Sequence, residues 1–317
     1  MKLLFIIDPL PSLKAYKDTS IAMMRAAAVR GHRVYVTEAH QLSIQEGHVR
    51  ASCMALEISP DDDWYRIAFT EHHALKAFNA VIMRTDPPVD VDYLLATHLL
   101  EVAENTGARI LNRPSSLREF NEKLAIFNFP QFITPTQVSA DRAVIQTFLE
   151  EHQDIIVKPL TEMGGRGIFR LTPADLNCNA ILETLTHNGR RPIMAQRYLP
   201  DISAGDKRIL LIDGHVVPWA LARIPKAGET RGNLAAGGTA RAQPLSARDQ
   251  TIADAIAPWA HEQGIFLAGL DVIGNCLTEI NVTSPTGFQE ITAQTGHDVA
   301  AQFIAAIERT CSTVIHY

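Results

Sequence analysis

The opening third of the chain alternates short apolar runs with helix-patterned stretches, and this alternation narrows the fold more than any other feature. Lys2–Ile7 is apolar almost throughout, as a strand covered on both faces must be. Ile21, Met24 and Ala28 then fall on one helical face, and Gly31 stops that helix. Arg33–Glu38 alternates as a strand, and His48–Ile58 reads as one or two more. Ala80–Arg84 is a further buried strand. A helix follows from near Asp90 to Gly107, its buried stripe formed by Tyr93, Ala96, Leu100 and Ala103, and Arg109–Asn112 is one more short strand. Such an order predicts an open, largely parallel α/β sheet. A dinucleotide site would need a glycine-rich turn after the first strand, and Asp8-Pro9-Leu10-Pro11 stands there instead.

Beyond this block, Pro114, Pro130 and Pro135 mark a boundary within 114–135. Ile155–Pro200 then reads strand, glycine-rich loop, strand, helix, strand. Arg208–His316 reads strands, a long glycine-rich loop, a helix, a hairpin and a final helix. Ile252, Ile256 and Trp259 mark the penultimate helix, with a kink expected at Pro258, and Val299, Phe303 and Ile307 mark the last. A chain of 317 residues exceeds what one core usually organises, so two or three packed domains are expected. The net charge of −6 argues against non-specific nucleic-acid binding. No apolar run approaches the roughly 20 residues that span a bilayer, and the N-terminus reads as a buried strand rather than a signal peptide. Cys53, Cys178, Cys276 and Cys311 form no C-x-x-C pair, which fits a reduced cytoplasmic chain and speaks against a zinc cluster.

Three segments carry chemistry. In Ile155–Gly167 an apolar strand delivers Lys158, and Gly164, Gly165 and Gly167 follow. Such a loop can bring backbone N–H groups against phosphate oxygens, with the lysine as a point charge; an ordinary hairpin turn with a solvated lysine fits the same residues. No Gly-Lys-Ser/Thr follows, so this is not a Walker A loop. The second segment, Arg223–Thr239, interleaves Gly228, Gly232, Gly237 and Gly238 with Arg223 and Arg231. It suits a lid that closes over an anionic ligand, against the plainer reading of an exposed loop. The third, Leu270–Asn281, is a hairpin turning at Gly274-Asn275. Glu279 and Asn281 share a face. A two-residue loop would pair Asp271 with Thr278 and leave Glu279 opposite. A three-residue loop, Gly274–Cys276, would pair Asp271 with Glu279 and gather two carboxylates and an amide on one side. That set is a hard, all-oxygen donor group suited to Mg²⁺, or else a solvated polar face. Templates for zinc proteases, serine hydrolases and EF-hands are absent.

Taken together and in order, Met83–Pro88, Asn121-Glu-Lys123, Lys158–Gly165, Gly205–Leu210, Arg223–Gly238 and Thr278–Thr286 resemble the bacterial glutathione synthetases, an ATP-grasp ligase family, essentially end to end. The resemblance implies an α/β fold with a Rossmann-like N-terminal domain (1–122) followed by a two-part ATP-grasp fold, a central subdomain (123–200) and a C-terminal subdomain (201–317) with a lid at 223–239. It implies ligation of γ-glutamylcysteine to glycine with ATP through an acyl phosphate. Lys123 and Lys158 match lysines on the ATP phosphates, Met163, Gly164, Gly165 and Gly167 match the phosphate-covering loop, and Gln196, Tyr198 and Leu199 match the adenine hinge. Asp271, Glu279 and Asn281 match Mg²⁺ ligands, for two ions, with Mn²⁺ an alternative. Arg208 matches a cation at the transferred phosphoryl group. Arg84, Arg223, Arg231, Gly232, Asn233 and Ser284 match the dipeptide and intermediate site. A cytoplasmic homotetramer without nucleic-acid or membrane partners is implied as well. Two other readings share the fold: another ATP-grasp carboxylate–amine ligase, and a nucleotide-binding regulatory protein without turnover.

Overall fold

The computed structural model describes residues 1–226, 228, 229, 232 and 238–312. Three sheets follow one another along the chain. The first contains β1 (Lys2–Ile6), β2 (Arg33–Thr37), β3 (Leu42–Gln45), β4 (His48–Ile58), β5 (Tyr65–Ala74), β6 (Ala80–Met83) and β7 (Ile110–Leu111). Its centre, β2-β1-β6-β7, is parallel, with α1 (Thr19–Val29) and α2 (Val91–Asn105) as crossovers. Alternate residues of β1 feed two different cores. Leu4 and Ile6 face the α2 side, while Leu3 and Phe5 face α1. Burial on both faces is why this strand has no polar alternation. Asp18 and Asp90 cap the two helices by accepting from the N–H groups of Ile21 and Tyr93, both at 2.9 Å.

The sheet is less parallel than the alternation predicts. Strands β3, β4 and β5 join antiparallel on the β2 side, with β5 along the outer edge of β4. Strand β5 went unassigned from sequence although Tyr65, Ile67 and Phe69 alternate with Arg66, Ala68 and Thr70; the alternation stops at Glu71-His72-His73, and Ile67 and Phe69 stay exposed. In α1, Met23 and Ala27 are fully buried and Ala28 is not, a small rotation of the expected face.

A short helix α3 (Pro114–Glu119) leads to the second sheet, β10-β9-β11-β8, formed by β8 (Thr136–Ser139), β9 (Ile155–Pro159), β10 (Phe169–Leu171) and β11 (Ile193–Arg197), with α4 (Arg142–His152) and α5 (Cys178–Leu185). The third sheet is antiparallel, in the order β14-β13-β12-β15-β16: β12 (Asp206–Ile212), β13 (His215–Ile224), β14 (Thr239–Pro244), β15 (Leu267–Ile273) and β16 (Cys276–Asn281). Helix α6 (Ala247–Glu262) runs unbroken past Pro258. It is not the penultimate helix, because α7 (Phe288–Thr295) intervenes before α8 (Val299–Ser312).

The hydrophobic cores do not follow the sheets one to one. The middle sheet has a small core of its own around Ile145, Val157, Leu182 and Ile193. The first and third sheets instead share two cores, and α8 packs against α1. Buried Asn112, at the end of β7, stitches them further. Its Nδ2 donates to the Leu267 and Val282 carbonyls, both at 2.8 Å, and its Oδ1 accepts from the Leu267 N–H at 2.7 Å. Asn112→Ala removes all three bonds from buried backbone groups. Urea unfolding should show a loss of about 3 kcal/mol; a loss below about 1 kcal/mol would mean that the stitch carries little.

Candidate active site

A cleft of about 620 Å³ runs where the three sheets meet. Its chemistry is set by a buried lattice of charge. On β16, Glu279 Oε1 lies 3.4 Å from Lys123 Nζ and 3.5 Å from Lys158 Nζ. On β15, Asp271 accepts from Arg208 Nε at 2.6 Å and Nη2 at 3.2 Å, and pairs with Arg223 Nη2 at 2.8 Å. Arg223 also binds Asp206. Lys123, Lys158, Arg208, Arg223 and Asp271 are all buried.

The register that gathers these groups comes from a feature outside both predicted loops. The turn has two residues, with Ile273 paired to Cys276 and Val272 to Leu277. A bulge at Thr278 then shifts the register, so Asp271 pairs with Glu279 and Gly269 with Asn281. The Thr278 hydroxyl donates to the Asp271 carbonyl at 3.1 Å. The two-residue loop was thus right and its consequence was not, because one extra residue flips which side chains face the cleft.

The pKa directions follow from this lattice. Burial works to raise the Glu279 carboxyl, but the Lys123 and Lys158 ammoniums outweigh it and hold it below its ordinary value. Asp271 is likewise held well below the carboxylate range, Arg208 and Arg223 overcoming burial. Burial lowers Lys158, with Glu279 opposing. Asp206 goes the other way: burial, with Asp271 repelling it, pushes it up to about 6 against the pull of Arg223. Its Oδ1 is buried without a hydrogen-bond partner.

The loop after β9 is fixed to this lattice, since Lys123 Nζ donates to the Glu162 carbonyl at 2.7 Å. Gly164, Gly165 and Gly167 all have positive φ. A Cβ on Gly167 would lie 2.9 Å from Pro159, so the chain can double back only as glycine. Gly269 serves Arg208 similarly: a Cβ there would lie 2.8 Å from Arg208 Cδ and 2.9 Å from Pro285 Cβ. At the far end, Gln196 Nε2 donates to Thr136 Oγ1 at 3.1 Å. The Tyr198 N–H is taken by the Asp154 carbonyl at 2.9 Å, and its ring lies 3.8 Å beneath the Arg170 guanidinium.

Of the residues expected from sequence, Lys123, Lys158, Met163, Gly164, Gly165, Gln196, Tyr198, Leu199, Arg208, Arg223, Gly232, Asp271, Glu279, Asn281 and Ser284 line this cleft. Gly167 and Arg84 do not. Buried Arg84 lies behind the cleft wall, donating to Ser20 Oγ at 3.0 Å and the Pro285 carbonyl at 3.1 Å. Arg231 and Asn233 lie outside the described residues, as do 227, 230 and 234–237 of the expected lid. Asp206 and Glu122 were passed over in the sequence, although both sit inside quoted motifs, Glu122 next to Lys123 and Asp206 two residues before Arg208. So were Asp8, Asp18 and Asp86, which line the end of the cleft near the first sheet.

The fit to a divalent cation rests on the donor set. Asp271, Glu279 and Asn281 share the cleft and offer only oxygen donors once Asn281 Nδ2 donates to the Gly269 carbonyl at 3.1 Å. Among the described residues, no three His, Cys, Asp or Glu side chains come together as a metal centre, so the amide is needed to complete the set.

Comparison with known proteins follows the same lines. The sequence model for the N-terminal domain of prokaryotic glutathione synthetase matches residues 1–118, and that for its ATP-grasp domain matches 122–296. The chain is 58% identical over 312 residues to a glutathione synthetase of Neisseria meningitidis serogroup B, covering 97% of this chain and 98% of that protein. It is 53% identical over 310 residues to one of Ralstonia nicotianae, covering 98% and 96%. Among solved structures, D-cycloserine synthetase DcsG superposes with a TM-score of 0.67 at 14% identity, over 98% of this chain and 100% of that one. The ATP-grasp ligase PsnB, complexed with minimal precursor, Mg and ADP, superposes at 0.63 and 17%, over 98% of each. At these identities the two structures bear on fold alone.

The raised Asp206 carboxyl gives a stability test. Between the ordinary carboxyl pKa and about 6 the folded protein holds a proton that the unfolded chain has released, so this group's contribution falls as pH rises through that window. The melting temperature of Asp206→Asn relative to wild type should therefore climb between about pH 4.5 and pH 7.5. A constant difference would refute the shift.

Proposed function

The chain belongs to the prokaryotic glutathione synthetase family and is an ATP-dependent ligase that makes glutathione, and we propose that it does so by joining γ-glutamylcysteine to glycine across the charged cleft. The observation that carries this reading is the buried set of Lys123, Lys158, Arg208 and Arg223, matched in the free protein by Asp206, Asp271 and Glu279. Burying charge is costly, and such lattices add little net stability, so a ligand of opposite charge is the economical explanation for it.

In the proposed sequence a cysteinyl carboxylate oxygen attacks the γ-phosphorus of ATP. The bond to the β–γ bridging oxygen breaks, giving an acyl phosphate and ADP. The neutral amine of glycine then attacks the acyl carbon. Phosphate leaves, the amine proton is lost, and the peptide bond is formed. Neither step needs covalent help from the protein, which has to position the reactants and neutralise charge.

Lys123 and Lys158 would exchange Glu279 for phosphate oxygens, and Arg208 would turn from Asp271 to the transferred phosphoryl group. Asp271, Glu279 and Asn281 would hold the divalent cation, which we take to be Mg²⁺, two ions, with Mn²⁺ able to substitute. The cation supplies charge neutralisation on the phosphates when bound. The 162–167 loop would cover the phosphates, and the Gln196–Leu199 hinge would face adenine. Ser284 and the Arg84-supported 285–287 turn would face the dipeptide. An acyl phosphate is lost if water enters, which gives a closing lid at 223–239 its purpose. No helix among the described residues is long and apolar enough to cross a membrane; we take the enzyme to act in the cytoplasm, as a homotetramer.

The direct test is Mg²⁺-dependent ADP release with γ-glutamylcysteine and glycine, each omitted in turn. ADP release should require both and match glutathione formed. Release with the dipeptide alone would indicate a different amine, and ATP binding without release would favour a regulatory protein. Glu279→Ala should abolish turnover and weaken Mg²⁺-ATP binding by at least the roughly 10- to 100-fold that losing a mere support of a metal ligand costs. Near-normal rates would break the assignment of that carboxylate.

A further inference from the structure

Past Asn281, the backbone that leads to Ser284 has no strand beside it among the described residues. Strand β16 ends at Asn281, paired to Gly269, and the next residues leave the sheet. Side chains from before the middle sheet supply the missing partners. Glu122 Oε1 accepts from the Val282 N–H at 2.9 Å, the Thr283 N–H at 3.0 Å and the Thr283 hydroxyl at 2.8 Å. The Glu122 main-chain carbonyl accepts from the Ile280 N–H at 2.9 Å. On the other side of the same peptide, Asn112 donates to the Val282 carbonyl.

Glu122 also directly precedes Lys123, whose Nζ reaches both Glu279 and the Glu162 carbonyl. One residue therefore touches two walls of the cleft. Its backbone delivers the lysine of one wall, and its side chain holds the strand end of the other. We propose that Glu122 is a positioning residue that fixes the distance between Lys123 and the Asn281–Ser284 run, and through it the fit of the cation–nucleotide site. What matters is reach: an acceptor oxygen at the end of a two-methylene arm, placed to take two adjacent backbone N–H groups. Its carboxylate accepts in place of the strand that would otherwise have paired there.

The proposal rests on the ligase reading, and three variants test it. Glu122→Gln keeps an acceptor oxygen at the same reach. Glu122→Asp keeps the charge but withdraws it by one bond length, about 1.5 Å. Glu122→Ala removes it. Calorimetric affinity for Mg²⁺-ATP and kcat for glutathione formation are measured for each, with the folded fraction taken from circular dichroism. Gln should stay within about threefold of wild type in both readouts, while Asp and Ala lose about tenfold or more in each, as for other supports of metal ligands. If Ala does not fold, the Gln–Asp pair carries the test.

Asp matching wild type, or Gln falling as far as Asp, would overturn the proposal. So would losses that vanish once rates and affinities are scaled to the folded fraction, because then Glu122 is merely structural. Failure of the ligase reading looks different: wild type itself makes no glutathione. The ranking is then read from Mg²⁺-ATP affinity alone, and its absence there overturns the proposal.

Discussion

Everything in this protein's cleft depends on keeping charge out of water. Four cations and three carboxylates lie together where β12, β13, β15 and β16 meet the ends of β9 and the 120–123 segment. Each carboxylate answers at least one cation, and Asp271 and Glu279 answer two apiece. Without these pairings the buried lysines would tend to lose their protons, and the arginines, which stay charged, would draw in water. In the free protein the carboxylates therefore keep the cations charged and aimed, and a metal-bound polyphosphate would find both signs already placed. Asp206 is the strained member, sharing Arg223 with Asp271 and left with a buried oxygen that nothing satisfies.

Holding the lattice in place is the task of the cores. The first and third sheets share two hydrophobic cores and are stitched by Asn112, Arg84 and Glu122, so they act as one chassis. The middle sheet, with its own small core, carries Lys158, the glycine loop and the Gln196–Leu199 strand end to the open side. Residues far apart in sequence can then meet with fixed spacing, as Lys158 does with Glu279 and Arg84 with Pro285.

Much of the first sheet was legible because burial on both faces writes itself as unbroken apolar runs, and because Asp90, Gly31 and Gly107 punctuate the helices. Strand β5 was missed for a different reason: Tyr65, Ile67 and Phe69 do alternate, but the pattern lasts only six residues before Glu71-His72-His73 break it, and the strand lies exposed on the sheet edge. Helix α7 hid behind the Pro285–Gly287 turn, its short apolar stripe of Phe288 and Ile291 too brief to register as a period. The candidate site was legible as a set of residue types: lysine before glycines, arginines in a glycine-rich loop, and carboxylates on a hairpin.

The sequence by itself determined which chemistry could be assembled, because charge, oxygen donors and glycine freedom are properties of residue types. It also determined most of the strands and helices, because burial periodicity is local. Only the tertiary structure decided how the pieces face one another. The Thr278 bulge, which turns Asp271 and Glu279 to the same side, depends on the balance between a two-residue turn and packing across the sheet. The withdrawal of Arg84 behind the cleft wall and the reach of Glu122 to Val282 and Thr283 depend on contacts between residues some 160 to 200 positions apart. Such contacts are made by the packing of whole sheets, and no local pattern of residues records them.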